Sequence, residues 1–156
     1  MEKIAVFPGS FDPFTVGHEN IVLRGLSIFD KIIVAIGIHS TKQPLLKIEA
    51  RVEMVNRIFR DNDRVSGDYF EGLTVDYCIK VHATHMLRGI RTAADFEYER
   101  AIAQVNKLML PSVESIFLLT TPEHTPVNST IIRDIIRNGG DASQFLPKEV
   151  NINDYL

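Results

Sequence analysis

The sequence predicts a doubly wound α/β domain whose parallel five-stranded sheet is flanked by helices. Three observations carry that prediction. Short apolar runs rich in β-branched residues alternate with stretches of helical period. The stretches between successive runs are long enough to return over the sheet, as parallel neighbours joined by right-handed crossovers require. Finally, the 156 residues, 45% apolar and 24% charged, suit one core-forming domain, because a chain of this size buries roughly two thirds of its unfolded surface. No Gly/Ser/Pro-rich linker, fixed-period repeat or low-complexity run interrupts them. Residues 1–156 are therefore expected to form a single domain, with a short helical appendage from about residue 141 entered through Pro147.

Taken in order, Lys3 to Phe7 (KIAVF) and Lys31 to Gly37 (KIIVAIG) are continuous apolar runs of the kind buried on both faces of a sheet. Met86-Leu87 with its approach and Ser115 to Thr120 (SIFLLT) read the same way, whereas Arg64 to Phe70 is more polar and is assigned to a sheet edge. Between the strands, Ile48, Val52, Val55 and Phe59 share one helical face. Tyr98, Ala101, Ile102, Val105, Leu108 and Met109 mark a second amphipathic helix. Ile131, Ile132, Ile135 and Ile136 mark another, stopped by Asn138-Gly139-Gly140. Each stripe is expected to pack into the core.

Composition narrows the function. The lone cysteine, Cys78, forbids an internal disulfide, and in an apolar helix between Tyr77 and Ile79 it reads as a buried thiol and not a nucleophile. There is no run of about 18 uncharged apolar residues and no apolar leader behind a basic segment, so the expected address is a reducing cytoplasm without membrane insertion. Seventeen Lys and Arg against twenty Asp and Glu give a net charge of -3. That balance disfavours a protein that tracks nucleic-acid backbone, so any phosphate chemistry must rest on local positive charge. His82 and His85 have no neighbouring cysteine or carboxylate cluster to complete a zinc site, and no protein-bound metal is expected.

In open parallel sheets ligands bind beyond the carboxyl ends of the strands, and three such junctions carry polar chemistry. The first, Pro8 to His18, is a tight loop into a helix. Gly17 leaves space for close approach to a phosphate beside the free amides of the helix start, and His18, four residues before Val22, is expected to face the crevice. The second, Leu87 to Glu99, brackets Gly89 with Arg88 and Arg91, two permanently charged planar donors for phosphate oxygens. Pairing of these arginines with Asp95 and Glu99 as surface salt bridges is the competing use. The third runs from Thr120 to the helix start at Asn128-Ser129-Thr130, with Arg133 a turn later. Ser129 and Thr130 serve there either as caps or as part of a phosphate-binding helix terminus. Two better-known phosphate loops, G-x-G-x-x-G after the first strand and G-x-x-x-x-G-K-[ST] anywhere, are missing.

Thr15-Val16-Gly17-His18, preceded by Pro8-Gly9-Ser10-Phe11-Asp12-Pro13, resembles the T-x-G-H signature of the nucleotidylyltransferase superfamily. The segment from Arg88 to Glu99, R-G-x-R-x-x-x-D-F-x-Y-E, looks like that of one family within it, the bacterial phosphopantetheine adenylyltransferases. Val127 to Arg133 is similar to the superfamily's I-S-S-S/T-x-x-K/R motif, with Asn128 in place of the usual serine and His124 where Trp or Tyr is common. The resemblance covers nearly the whole chain. It implies reversible adenylyl transfer from ATP to 4'-phosphopantetheine, giving dephospho-coenzyme A and pyrophosphate, by direct in-line attack without a covalent enzyme intermediate.

The same resemblance assigns His18, Lys42 and Arg91 to catalysis. Ser10, Phe11, Gly17, His18, Gly89, Ile90, Arg91, Glu99, His124, Thr125, Pro126, Val127, Asn128, Ser129 and Thr130 are assigned to the nucleotide. Ser10, Lys42, Thr74 and Arg88 are assigned to the acceptor. Glu99 is open to a role in orienting Arg91, and without the resemblance Thr74 reads as an N-cap. Mg²⁺ is expected to arrive with ATP. A homohexamer and coenzyme A as a feedback ligand are implied as well. Transfer to nicotinamide mononucleotide, or to an alcohol phosphate from CTP, would share the first and third motifs but not the second. A non-catalytic nucleotide sensor and a purely structural module are the remaining alternatives.

Overall fold

The structure, a computed structural model, describes residues 1–39 and 43–156. Five strands and five α-helices alternate: β1 (Ile4–Gly9), α1 (Val16–Gly25), β2 (Lys31–Gly37), α2 (Ile48–Ile58), β3 (Val65–Phe70), α3 (Thr74–Lys80), β4 (His85–Ile90), α4 (Ala93–Met109), β5 (Glu114–Leu119) and α5 (Ser129–Arg137). All pairings are parallel and the strand order is β3-β2-β1-β4-β5. The expected doubly wound single domain is therefore the observed one. The more polar β3 lies at an edge, as its composition predicts.

One face of the sheet is closed by α1 and α2, whose Ile21, Val22, Met54, Val55 and Ile58 pack on Phe7, Ile32, Val34 and Leu87. Val75, Tyr77 and Cys78 of α3 cover Val6, Ala35 and Met86 on the other. Beyond Gly140 the chain forms 3-10 turns at Ser143–Phe145 and Ile152–Asp154, and Ala142 and Leu146 pack against Ile132.

Three expectations about burial fail. Residues 115–120 do not form a fully buried strand: β5 is the second edge, pairs on one side only, and is half-buried. The apolar stripe of α4 does not enter the core either. None of its residues is buried, and Tyr98 and Leu108 are 69% and 83% exposed. Helical periodicity tells which residues share a face, not what covers that face. On α5 only Ile132 is buried, while Ile131 is exposed.

The feature that creates a site is a parting of strands. β1 pairs with β2 along its whole length, from Ile4 opposite Lys31 to Gly9 opposite Ile36. With β4 it pairs only at Ala5–His85 and Val6–Met86. The connections leave β1 and β4 towards opposite flanks, so the crevice lies at the reversal of strand order, where ligands of such sheets bind.

Candidate active site

The loop after β1 is held from both sides. Asp12 is buried, and its carboxylate accepts from the amides of Leu45 and Leu46 at 2.8 and 2.9 Å. Arg51, buried within α2, donates from Nε to the Leu46 carbonyl at 3.1 Å and from a terminal nitrogen to the Ser10 carbonyl at 2.9 Å. The segment following residue 42 is thus sewn to the loop that opens α1; Lys42 itself lies outside the described residues. From α5, Ser129 Oγ donates to the Pro13 carbonyl at 2.9 Å and Arg133 to the Asp12 carbonyl at 2.8 Å.

At the start of α1 the loop helix-caps itself. Thr15 Oγ1 accepts from the His18 amide, and the Thr15 amide donates to His18 Nδ1 at 3.0 Å, a reciprocal capping box. A ring nitrogen that accepts from a backbone N–H carries the lone pair, so the proton of the neutral ring sits on Nε2. Burial, reinforced by the charges of Arg88 and Arg91, pulls the pKa of His18 down to about 3. At neutral pH His18 is an uncharged Nε2–H donor in the wall of the crevice. The ring faces the crevice as expected, and bonds to the loop through its other edge.

Across the crevice, the Nε and Nη2 atoms of Arg88 donate to the two carboxylate oxygens of Glu99 at 2.7 and 2.6 Å, and Nη1 donates to the Pro8 carbonyl. Arg88 therefore bridges β4 back to β1 above the point where their pairing stops. The Arg91 amide and its Nε both donate to Asp95 Oδ2, at 3.1 and 3.2 Å. The competing salt-bridge use of these arginines is thus observed, but at the crevice rather than on an indifferent surface. Glu99 is committed to Arg88, so the role of orienting Arg91 falls to Asp95.

Asn128 is the N-cap of α5, accepting from the Ile131 amide at 2.9 Å, which leaves Ser129 and Thr130 uncommitted to capping. Thr130 Oγ1 accepts from Arg133 at 3.2 Å. His124 ends a 3-10 turn with Nδ1 3.0 Å from Thr121 Oγ1. A Cβ on Gly17 would make only ordinary contacts, with Thr15 Oγ1 at 3.5 Å and His124 Cβ at 3.8 Å, so no packing within the chain demands glycine at this position in the crevice wall. Thr74 is not a cap: Leu73 holds the N-cap position of α3 and no side chain bonds there.

Two hollows meet in this crevice. One, of about 530 Å³, is walled by Phe11, Gly17, His18, Gly89, Arg91, Asp95, His124, Val127, Asn128, Ser129, Thr130 and Arg133. The other, of about 440 Å³, is walled by His39, Phe70, Thr74, Ile102 and Asn106. Ser10, Arg88, Tyr98 and Glu99 line both. Three expected residues stand outside these walls: Ile90 is buried, Thr125 Oγ1 donates to the Thr121 carbonyl at 3.3 Å, and Pro126 is exposed. A wider hollow of about 1040 Å³ beside α2 and β3 mixes Arg57 and Arg60 with Glu49, Glu53 and Glu71 and has no comparable convergence of cationic donors.

The cytidylyltransferase-like family model matches residues 6–135. Phosphopantetheine adenylyltransferase of Caldanaerobacter subterraneus subsp. tengcongensis is 44% identical over 93% of this chain and 91% of its own. That of Flavobacterium psychrophilum is 46% identical over 95% and 97%. The chain belongs to the phosphopantetheine adenylyltransferase family. Among solved structures, a bifunctional NMN adenylyltransferase/ADP ribose pyrophosphatase from Francisella tularensis superposes with a TM-score of 0.74 at 20% identity, over 97% of this chain and 47% of that one, a likeness of fold.

In this member of the phosphopantetheine adenylyltransferase family, sequence reasoning overlooked four residues at the site and named Asp95 only as a competing salt-bridge partner. The four, Asp12, Arg51, His39 and Tyr98, either fix the loops or line the walls. Arg51 carried a signal: it lies three residues after Ile48 and four before Val55, a charge on an apolar face, which calls for a buried partner. Among the described residues no three His, Cys, Asp or Glu side chains gather as metal ligands, and no helix is long and apolar enough to cross a membrane.

Proposed function

We propose that the chain transfers the adenylyl group of ATP to 4'-phosphopantetheine, releasing pyrophosphate and forming dephospho-coenzyme A, the penultimate step of coenzyme A synthesis. The observation that carries this reading is the meeting of two hollows at Ser10, Arg88 and Glu99, beside the neutral Nε2–H of His18. One hollow suits ATP and the other the acceptor, so the acceptor phosphate would meet the α-phosphorus at their junction.

An acceptor phosphate is anionic at neutral pH and needs no general base. Its oxygen attacks the α-phosphorus in line, the bond to the β-phosphate oxygen breaks, and pyrophosphate leaves with that electron pair. His18 donates to an α-phosphoryl oxygen as charge builds there, while Arg91 and the amides of Ser129 and Thr130 at the α5 N-terminus hold the β and γ phosphates. Ser10 and Arg88 receive the acceptor phosphate, Thr74 its pantetheine arm, and Lys42 spans the two phosphates. Gly89 and Val127 to Thr130 border the nucleotide.

The local carboxylates Asp95 and Glu99 are already bound by arginines, which fits Mg²⁺ held by ATP phosphates and not by a protein cage; when bound it neutralises phosphate oxygens. The exposed stripe of α4 supports a homohexamer, a self-contact that would cover it. Coenzyme A as a feedback ligand and a cytoplasmic location complete the reading.

The test is pyrophosphate release from ATP and Mg²⁺ across an acceptor panel, with CTP as alternative donor. Release is expected with 4'-phosphopantetheine and ATP alone. Release only with nicotinamide mononucleotide, or with CTP and an alcohol phosphate, assigns a sister reaction; nucleotide binding without release under any acceptor makes the chain a sensor.

A further inference from the structure

Phe11 is a bulky residue with φ of +46°, in the left-handed region that such side chains rarely occupy. The backbone of the loop is thereby turned so that the ring goes inward, where it is 4% exposed. Its centroid lies 4.8 Å from that of the His18 imidazole at an interplanar angle of 83°. Phe14 and Phe7 complete an aromatic seat for the same imidazole, at 5.3 and 6.2 Å. The arrangement is braced from beneath: a Cβ on Gly9 would come within 3.0 Å of Phe11 Cε2 and Cζ. Packed between Phe7 and Phe14, at 5.0 and 5.5 Å, the Phe11 ring is held against His18 from two sides.

We propose that Phe11 is a positioning residue, whose ring, admitted by the missing side chain of Gly9, fixes the His18 imidazole against Thr15 so that Nε2–H alone is presented to the reacting phosphate. The capping bond to Nδ1 is lost when the imidazole swings about Cβ–Cγ; the near-perpendicular Phe11 ring lies against the imidazole, opposes that swing and shields the capped edge from water. The strained backbone is then the means of holding the ring inward. Charged and titratable groups around His18 are Arg88 and Arg91 at the β4 end, Asp95 and Glu99 paired to them from α4, and Arg133 and His124 in the same wall. None of these contacts is made by Phe11, so its substitution isolates the seat from the charges.

The inference rests on adenylyl transfer for its kinetic arm only. Histidine ring spectra of ¹⁵N-labelled protein read the tautomer and titration of His18 directly, assigned among five histidines by loss of a signal in His18→Gln. In the wild type the Nε2–H form is expected unchanged from about pH 8 to 5. Phe11→Leu is expected to mix the tautomers and move the titration up by about one pH unit or more towards 6.5. It should lower kcat about 10- to 100-fold. Gly9→Ala should shift the same signals in the same direction, and serves if Phe11→Leu fails to fold. A His18 signature unchanged in both variants overturns the proposal whatever their turnover, and so does a changed signature with undiminished kcat. Failure of the wild type to release pyrophosphate would instead refute the reaction, leaving the spectra to judge the seat.

Discussion

Replacing Glu99 with glutamine tests the clasp on Arg88 at its weakest point. The carboxylate accepts two charge-assisted hydrogen bonds from Arg88, at 2.6 and 2.7 Å, and the two side chains, Arg88 and Glu99, are only 29% and 13% exposed. An amide keeps one acceptor and turns an NH2 group towards a guanidinium that has nothing to accept with, so one bond and the counter-charge are lost together. Removing one partner of a fully buried pair costs about 3–5 kcal/mol. Partial access of water to both groups brings the expectation here to about 2 kcal/mol, in the range of one hydrogen bond to a charged group. For a domain of this size that lowers Tm by about 4–8 °C. The cost should shrink by about half with saturating 4'-phosphopantetheine, because the acceptor phosphate supplies Arg88 with the missing anion. Thermal unfolding of wild type and Glu99→Gln with and without acceptor measures both numbers. A Tm within about 1 °C of wild type would refute the stabilising role of the clasp, and a deficit that acceptor leaves untouched would refute the placement of its phosphate at Arg88.

Three further outcomes follow from the same geometry. His18→Ala removes a donor aimed at developing charge and should lower kcat about 10²- to 10³-fold with little change in KM for ATP, measured by steady-state pyrophosphate release. The folded-state pKa of His18, about 3, lies below the ordinary 6.5, so the stability it contributes is present in full above about pH 6.5 and is lost as pH falls from there towards 3. Urea unfolding at several pH values should show a shallower loss on acidification for His18→Gln than for wild type, and equal slopes would count against a buried neutral ring. Asp12→Asn leaves one of the Leu45 and Leu46 amides without its acceptor and should cost about 1–3 kcal/mol in urea melts.

The strands were legible because a parallel sheet covered on both faces needs uninterrupted apolar runs, and Lys31 to Gly37 is one. The loop through His18 and the pair Arg88 and Arg91 were legible because phosphate chemistry restricts residue type and place at strand ends. What escaped was pairing across distance. Nothing in the spacing of Arg88, Arg91, Asp95 and Glu99 says that the outer residues clasp each other while Asp95 bonds Arg91; the parting of β1 from β4 decides it by bringing the Arg88 guanidinium over to Pro8. The stripe from Tyr98 to Met109 was read as core since apolar periodicity is the same whether a helix faces its own sheet or looks away from it. The Asp12 carboxylate that receives Leu45 and Leu46 depends on a contact 33 and 34 residues away in sequence.

The crevice has two rooms with one shared wall. The side proposed for the nucleotide is made by α1, the end of β4, the first turns of α4, the turn after β5 and the start of α5, the other by the ends of β2 and β3, the start of α3 and the middle of α4, and among the described residues only Ser10, Arg88, Tyr98, Glu99 and the Pro8-Gly9 step border both. Such a plan separates what can change from what cannot. On the proposed reading a lineage could remodel His39, Phe70 and Thr74 to admit a different phosphate-bearing molecule while the residues proposed to grip the triphosphate stay in register, because among the described residues no side chain of the second room is hydrogen-bonded to them except through Arg88 and its carboxylate. Chemistry is inherited with the partition, and choice of acceptor with one room.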